Sequence, residues 1–114
     1  MKIYLISNDT FLCQEMMMNM SSNTHELEVN ENALLALEYI RHDIPDLVII
    51  DNDCDGVNPL VLQKIICRDS RFENTKFHFI AKEKIEKIKE FQQKNGISKL
   101  WLKPFNITEF MKNI

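Results

Sequence analysis

Glycine and proline are scarce: the 114 residues include two glycines and three prolines, too few for long irregular loops, Gly/Ser linkers or collagen-like repeats. Regular elements must occupy most of the chain. Long apolar runs are missing too, the longest being residues 33–37 and 47–50; crossing a bilayer takes about 20 apolar residues in a row, so no membrane span is expected. Residues 1–9 are too short for a secretory leader and run into an acidic turn instead of a small-residue cleavage site. The expected location is therefore the cytoplasm. Cys13, Cys54 and Cys67 are odd in number, widely spaced and outside any C-x-x-C pattern, which argues against a disulfide framework and against a zinc site. They are expected to be reduced, with those on helices buried. His25, His42 and His78 stand in no metal-ligand spacing, so neither metal binding nor catalysis by histidine is indicated.

What is present is the balance of a globular chain, 45% apolar and 27% charged, at the length of a single domain spanning 1–114. The net charge of -3 is unevenly spread: residues 1–57 hold two cations against eleven acids, net -9, which leaves +6 for residues 58–114. Glu83, Glu86 and Glu90 interrupt the lysines of 82–94 and no aromatics are interleaved, so direct nucleic-acid binding is not expected. The acidic half can hold a divalent cation where its carboxylates converge.

Hydrophobic periodicity divides the chain into alternating strand-like and helix-like stretches. Ile3-Tyr4-Leu5-Ile6 is a compact apolar run ending at Ser7-Asn8-Asp9-Thr10, a cluster of helix-capping types. Leu12, Cys13, Met16, Met17 and Met20 then recur at helical spacing up to a break at Ser21-Ser22-Asn23, and the methionines read as core packing. His25-Glu26-Leu27-Glu28-Val29 alternates polar and apolar, as a strand near a sheet edge does, and Asn30 is expected to cap a second helix. Ala33, Ala36, Leu37 and Ile40 give that helix one apolar face, and it stops ahead of Pro45. Leu47-Val48-Ile49-Ile50 is apolar at every position, which suits a strand buried on both faces.

Asn58-Pro59 supplies an N-cap and a proline at the first helical position, with Leu62, Ile65 and Ile66 as the buried stripe. Phe77-His78-Phe79-Ile80 is the fourth strand. Ile85, Ile88 and Phe91 line a fourth helix ending at Asn95-Gly96, a left-handed cap pair. Leu100-Trp101-Leu102 is a fifth strand. Asn106, with Glu109 three residues later, opens a last helix of about two turns. On so short a helix one or two of Ile107, Phe110, Met111 and Ile114 are expected to be exposed.

This is a strand–helix unit repeated five times. It predicts an α/β fold, a doubly wound five-stranded parallel sheet with helices on both faces, because right-handed crossovers place a helix over the sheet after each strand. Sites in such folds lie at the carboxyl ends of the strands, at the topological switch point. Three turns qualify: Ser7-Asn8-Asp9, Asp51-Asn52-Asp53 and Lys103-Pro104.

In residues 2–9, in residues 45–51 and from Gly96 through Leu102-Lys103-Pro104-Phe105, the chain resembles the receiver domain of bacterial two-component response regulators, strand for strand over its whole length. The resemblance implies a flavodoxin-like receiver fold and a phosphorelay role in signal transduction. It implies no enzymatic activity beyond Mg²⁺-dependent self-phosphorylation and self-dephosphorylation. Asp51 is then the phosphoacceptor, served by a histidine kinase or phosphotransfer protein, and Lys103 contacts the phosphoryl group. Mg²⁺ is expected at Asn8, Asp9, Asp51 and the backbone carbonyl of Asp53. The chemistry needs these parts: a carboxylate nucleophile, a metal to neutralise phosphoryl oxygens and a lysine to hold one of them. The plainer readings are a loop or capping aspartate at 51 and a solvated lysine at 103. A cis Lys103–Pro104 bond, frequent in the family, is expected here too.

Departures from the family pattern are equally specific. Ser7 and Asn8 stand where the family has two adjacent acids, with Asp9 one position later. Asn8 offers an oxygen without the charge, and Asp9 binds a cation directly or through water. The side chains of Asp53 and Asp55 add charge nearby, Asp55 standing where the family usually has proline. Ala81 replaces the family's Ser or Thr, Lys82 the small residue after it, and Leu100 the switch aromatic, with Trp101 beside it on the opposite face. Ala81 and Leu100 are thus atypical switch positions, and Lys82 is a candidate second cation.

Two functions remain open: a receiver phosphorylated on Asp51, or a pseudo-receiver serving as a phosphorylation-independent interaction or dimerisation module. A flavin-type cofactor protein would need a hydroxyl- or glycine-rich phosphate loop after strand one, which Ser7-Asn8-Asp9-Thr10 does not supply. Lys84, Lys87, Lys94 and Lys99, with Glu83, Glu86 and Glu90, mark the helix-four to helix-five face for a homodimer or effector contact. The plain alternative is a solvated charged face.

Overall fold

The computed structural model describes residues 1–20, 25–82 and 86–114, Ile88 by its backbone alone. Strands β1 (Lys2–Ile6), β2 (Glu26–Asn30), β3 (Leu47–Asp51), β4 (Lys76–Ala81) and β5 (Lys99–Leu102) form one sheet in the order β2-β1-β3-β4-β5. All four pairings are parallel. Helices α1 (Thr10–Met20), α2 (Ala33–His42), α3 (Pro59–Cys67), α4 (Ile88–Asn95) and α5 (Ile107–Lys112) follow the strands in turn. The expected doubly wound, flavodoxin-like sheet is therefore the fold. Strand β2 lies outside β1 and β3 lies on its other side, so the switch point falls between β1 and β3, where the loops after residues 6 and 51 open side by side.

Alternation along the strands feeds two apolar layers. Tyr4, Ile6, Val48, Ile50, Phe77 and Phe79 face α2 and α3, meeting Ala33, Ala36, Leu37, Ile40, Leu62 and Ile66. Ile3, Leu5, Leu47, Ile49 and Ile80 face α1 and α5, meeting Leu12, Met16, Met20 and Phe110. All five residues of β3 are buried, as a central parallel strand requires. The caps are those the sequence predicts at Asn58 with Pro59, at Asn106, and at Gly96, which takes a left-handed φ of 66°. Among the described residues no helix is long and apolar enough to cross a membrane.

Four details differ from the sequence reading. Helix α2 is capped by Asn32, whose side chain accepts from the backbone N–H groups of Leu34 and Leu35. Asn30 instead ends β2, opposite Ile6, and its side chain accepts from the Asn32 N–H. Met17 is 51% exposed and lies off the α1 stripe of Leu12, Met16 and Met20. The helical thiols are not buried: Cys13 is half-buried and Cys67 exposed. On α5, Phe110 is buried while Ile107, Met111 and Ile114 all pack partly buried against the α1 layer. Ile107, Phe110 and Met111, at i, i+3 and i+4, share one face of α5, and Ile114 just past its end packs on the same layer, so none is pushed outward. Ser21, Ser22 and Asn23, Glu83, Lys84 and Ile85, and the side chain of Ile88 lie outside the described residues.

Candidate functional site

The three turns singled out from the sequence meet at one point. Ser7 follows the last residue of β1 and is buried, its N–H donating to the Asn30 carbonyl at 3.0 Å. Its hydroxyl donates to Asp51 Oδ2 at 2.7 Å and accepts the Asp9 N–H at 3.0 Å. Asp51 ends β3 with its side chain 1% exposed. Its Oδ1 accepts the Asp53 N–H at 3.0 Å, and its Oδ2 also accepts from Lys103 Nζ at 2.7 Å. Lys103 follows β5, and its N–H donates to the Ala81 carbonyl at 2.8 Å. The next peptide bond, to Pro104, is cis, as the resemblance implies.

Lys103 is not a solvated lysine. Its side chain is 13% exposed, and besides Asp51 the ammonium reaches Asp9 Oδ2 at 2.9 Å and Asp53 Oδ2 at 3.3 Å. Asp9 has a second duty, since its Oδ1 accepts the Leu12 N–H at 3.1 Å and caps α1. A second ammonium stands at the rim: Lys82 Nζ lies 3.1 Å from Asp53 Oδ2, on a side chain that is 67% exposed. Asp53 Oδ2 thus bridges two lysines. These contacts set the protonation states. The hydrogen bond from Lys103 holds Asp9 below the usual carboxylate range. Burial works against ionisation of Asp53, yet Lys82 and Lys103 together keep its carboxyl low. Burial would likewise lower Lys103, but hydrogen bonds to Asp51 and Asp9 outweigh it and raise the ammonium's pKa. Nearby, burial first and then the charges of Asp51, Asp55 and Asp53 push the Cys54 thiol up to about 11, so it is not a nucleophile.

Asn8 sits at the rim. Its backbone N–H donates to the Asp53 carbonyl at 2.7 Å, and its side-chain amide donates to Asp55 Oδ1 at 3.1 Å. The Asp55 N–H donates to the Glu31 carbonyl at 2.8 Å, and the Asp55 carbonyl accepts the Ala33 N–H at 2.7 Å, so the β3–α3 loop is stitched to both neighbouring loops. Gly56 makes that possible. Its φ is 101°, and a Cβ there would stand 3.0 Å from Asn32 Oδ1 and 3.3 Å from the Ala33 nitrogen.

The donors expected for Mg²⁺ are all oxygens, two of them on carboxylates and two neutral, a set that suits a hard cation. The Asp53 carbonyl keeps a lone pair after serving Asn8. What stands at the convergence of the carboxylates is the Lys103 ammonium, and among the described residues no three His, Cys, Asp or Glu side chains form a ready cation cage. The set fits Mg²⁺ by chemistry and charge, with Lys103 as competitor or neighbour.

The other end of the site is apolar. Ala81 closes β4, buried, with Leu102 opposite it across the β4–β5 pair. Leu100 packs partly buried against the α2–α3 layer, while Trp101 faces the opposite layer beside His78, Phe105 and Phe110. On the helix-four to helix-five face, Lys87, Glu90 and Lys94 are exposed, whereas Lys99 bonds to Asn113 and stands 5.5 Å from the Trp101 ring centre. Ser7 is the residue that sequence reasoning passed over. Its type and position, a hydroxyl where the resemblance puts an acid, are the signal that points to it, while its bond to Asp51 is visible only in the fold.

No protein-family model matches the chain, and no curated protein matches it by sequence. Solved structures do match. The chemotaxis response regulator CheY4 of Vibrio cholerae superposes with a TM-score of 0.88 at 18% identity, over 98% of this chain and 93% of that one. The receiver domain of the Francisella response regulator 1452 gives 0.86 at 21% identity, over 98% and 91%. The BeF3-activated N-terminal receiver domain of RstA from Klebsiella pneumoniae gives 0.80 at 19%, over 99% and 94%. The chain has the receiver-domain fold.

Proposed function

We propose that the chain works as a single receiver-like unit of two-component signalling in the cytoplasm, accepting a phosphoryl group on Asp51 from a histidine kinase or phosphotransfer protein. The observation that carries this reading is a buried carboxylate at the tip of the central strand with a lysine ammonium 2.7 Å from its Oδ2. An Asp51 oxygen attacks the phosphorus of a phosphohistidine, the P–N bond breaks as the P–O bond forms, and the imidazole leaves with a proton. The Asp53 N–H and the Ser7 hydroxyl hold the carboxylate in place. Lys103 faces the oxygens on which negative charge gathers. Bound Mg²⁺, held by Asp9, Asp51, Asn8 and the Asp53 carbonyl, would supply further neutralisation of the phosphoryl oxygens. Exposed charges from Lys87 to Lys94 offer a surface to an effector or a second copy. The test is mass spectrometry after acetyl phosphate and Mg²⁺. One phosphoryl group on the wild type and none on Asp51→Asn is expected, and an unmodified wild type defeats the reading.

A second reading, the pseudo-receiver that keeps the fold for phosphorylation-independent contact or dimerisation, is favoured by the Lys103 ammonium at the carboxylate convergence. It predicts an affinity for Mg²⁺ too weak to measure by calorimetry, with partner binding unaltered in Asp51→Asn.

A further inference from the structure

Of the two cations at the site, one is committed and the other is loose. Lys103 is largely buried and touches three carboxylates, so it has little freedom to follow a new anion. Lys82 is exposed and is held by Asp53 alone at 3.1 Å. A single solvent-exposed ion pair of this kind is weak and easily exchanged. The site as it stands sets three carboxylates, Asp9, Asp51 and Asp53, against these two ammonium groups. A phosphoryl group on Asp51 would replace one negative charge by nearly two, within reach of the oxygen that Lys82 already contacts.

We infer that Lys82 is the residue that recognises the phosphoryl group, leaving Asp53 and closing onto a phosphoryl oxygen when Asp51 is modified. This rests on Asp51 being the acceptor, as proposed above. The anchor is already short: Lys82 follows Ala81, whose carbonyl holds the Lys103 backbone, so the two cations stand at adjacent strand ends, Lys103 already against Asp51 and Lys82 able to close on the same anion from the other side. An ammonium bonded to a dianion makes a stronger, charge-assisted contact than one bonded to a shared carboxylate at the rim. Departure of Lys82 leaves Asp53 with Lys103 as its remaining ammonium partner at 3.3 Å, so an incoming cation can take the place of Lys82 at that carboxylate.

The probe is beryllofluoride with Mg²⁺, titrated by calorimetry into the full chain and into Lys82→Ala, Lys82→Arg and Asp51→Asn. Mg²⁺ alone is titrated in parallel. Lys82→Ala should bind beryllofluoride about tenfold more weakly, the worth of one charge-assisted hydrogen bond at a partly exposed site. Its affinity for Mg²⁺ alone should be equal or higher, because a competitor for Asp53 has gone. Lys82→Arg should recover most of the loss. In the wild type the ¹⁵Nζ signal of Lys82 should shift on beryllofluoride binding. Equal beryllofluoride affinity in wild type and Lys82→Ala would overturn the assignment while leaving Asp51 as the acceptor. If the wild type and Asp51→Asn respond alike, the acceptor assignment itself fails, and this inference with it.

Discussion

At the carboxyl edge of the sheet, the corner made by Ser7, Asp51 and Lys103 and the corner made by Ala81 and Leu100 lie one strand apart and are held by different forces. The first is a closed polar network in which both Asp51 oxygens and the Lys103 ammonium all have partners. The second has no side-chain hydrogen bond to give, because alanine and leucine offer none. A charge placed in the first corner cannot draw the second toward it by a hydroxyl. What links the two is backbone: the Lys103 N–H on the Ala81 carbonyl. If Asp51 accepts a phosphoryl group as proposed, no hydroxyl at the end of β4 can carry that event into the apolar corner, and charge is left as the means of coupling the two.

The sharpest way to break the polar corner is Lys103→Met. It leaves a buried Asp51 carboxylate with only neutral donors, so unfolding free energy should drop by about 3 kcal/mol. Asp51→Asn leaves Lys103 still paired with Asp9 and Asp53, and should cost less than about 1 kcal/mol. Urea titrations of both variants decide the point, and equal losses would mean that the network is not centred on Lys103.

A comparable effect comes from His78 in β4, behind the apolar corner. Burial, with Lys99 and Lys76 adding to it, lowers its pKa from 6.5 to about 4. The folded state holds the imidazole neutral, so the unfolded chain binds more protons between those values. Stability is then full above pH 6.5 and falls by about 3 kcal/mol as pH drops to 4. Thermal melts across this range should show the loss, and His78→Phe should flatten it. Asp9 and Asp53, whose carboxyls are held low, act in a separate window: their contribution is present above pH 3.8 and fades below it.

Smaller effects sharpen the contrast. Ala81→Thr puts a hydroxyl into a buried position and should cost about 1 kcal/mol in the unmodified protein. With beryllofluoride it should spread amide shifts from the loop after β3 into residues 99–105, where the wild type changes little. No added spread would show that a hydroxyl alone does not join the corners. Lys82→Ala should alter stability by less than about 0.5 kcal/mol, as its one ion pair is exposed. Any larger change in a chemical melt would make Lys82 structural.

The architecture was legible because each element carries its own period and its own stop. The α2 stripe of Ala33, Ala36, Leu37 and Ile40 is buried as predicted, and Asn58-Pro59 and Asn95-Gly96 mark helix ends by backbone chemistry alone. The three site turns were legible for a topological reason, since a doubly wound sheet brings those strand ends together. What escaped depended on contacts across the chain. Asn30 and Asn32 are equally good caps by type, and the choice is made by Ser7 bonding to the Asn30 carbonyl. The 3-10 turn at Ser70–Phe72, capped by Asp69, has no period to reveal it. Ser7 itself and the three-carboxylate grip on Lys103 are tertiary facts.

The stitched loops at Asn8, Ala33 and Asp55 have a kinetic consequence. Each of these amide hydrogens is bonded to a carbonyl on a different loop, at Asp53, Asp55 and Glu31. Their exchange with deuterium therefore clocks the parting of neighbouring loops, not the wandering of any one loop. The three should exchange at a common rate close to that of the strand ends, and Gly56→Ala, which crowds Asn32 and Ala33, should release Ala33 and Asp55 first. The β3–α3 loop would then behave as an extra rung of the sheet, opening only when the rungs beside it open.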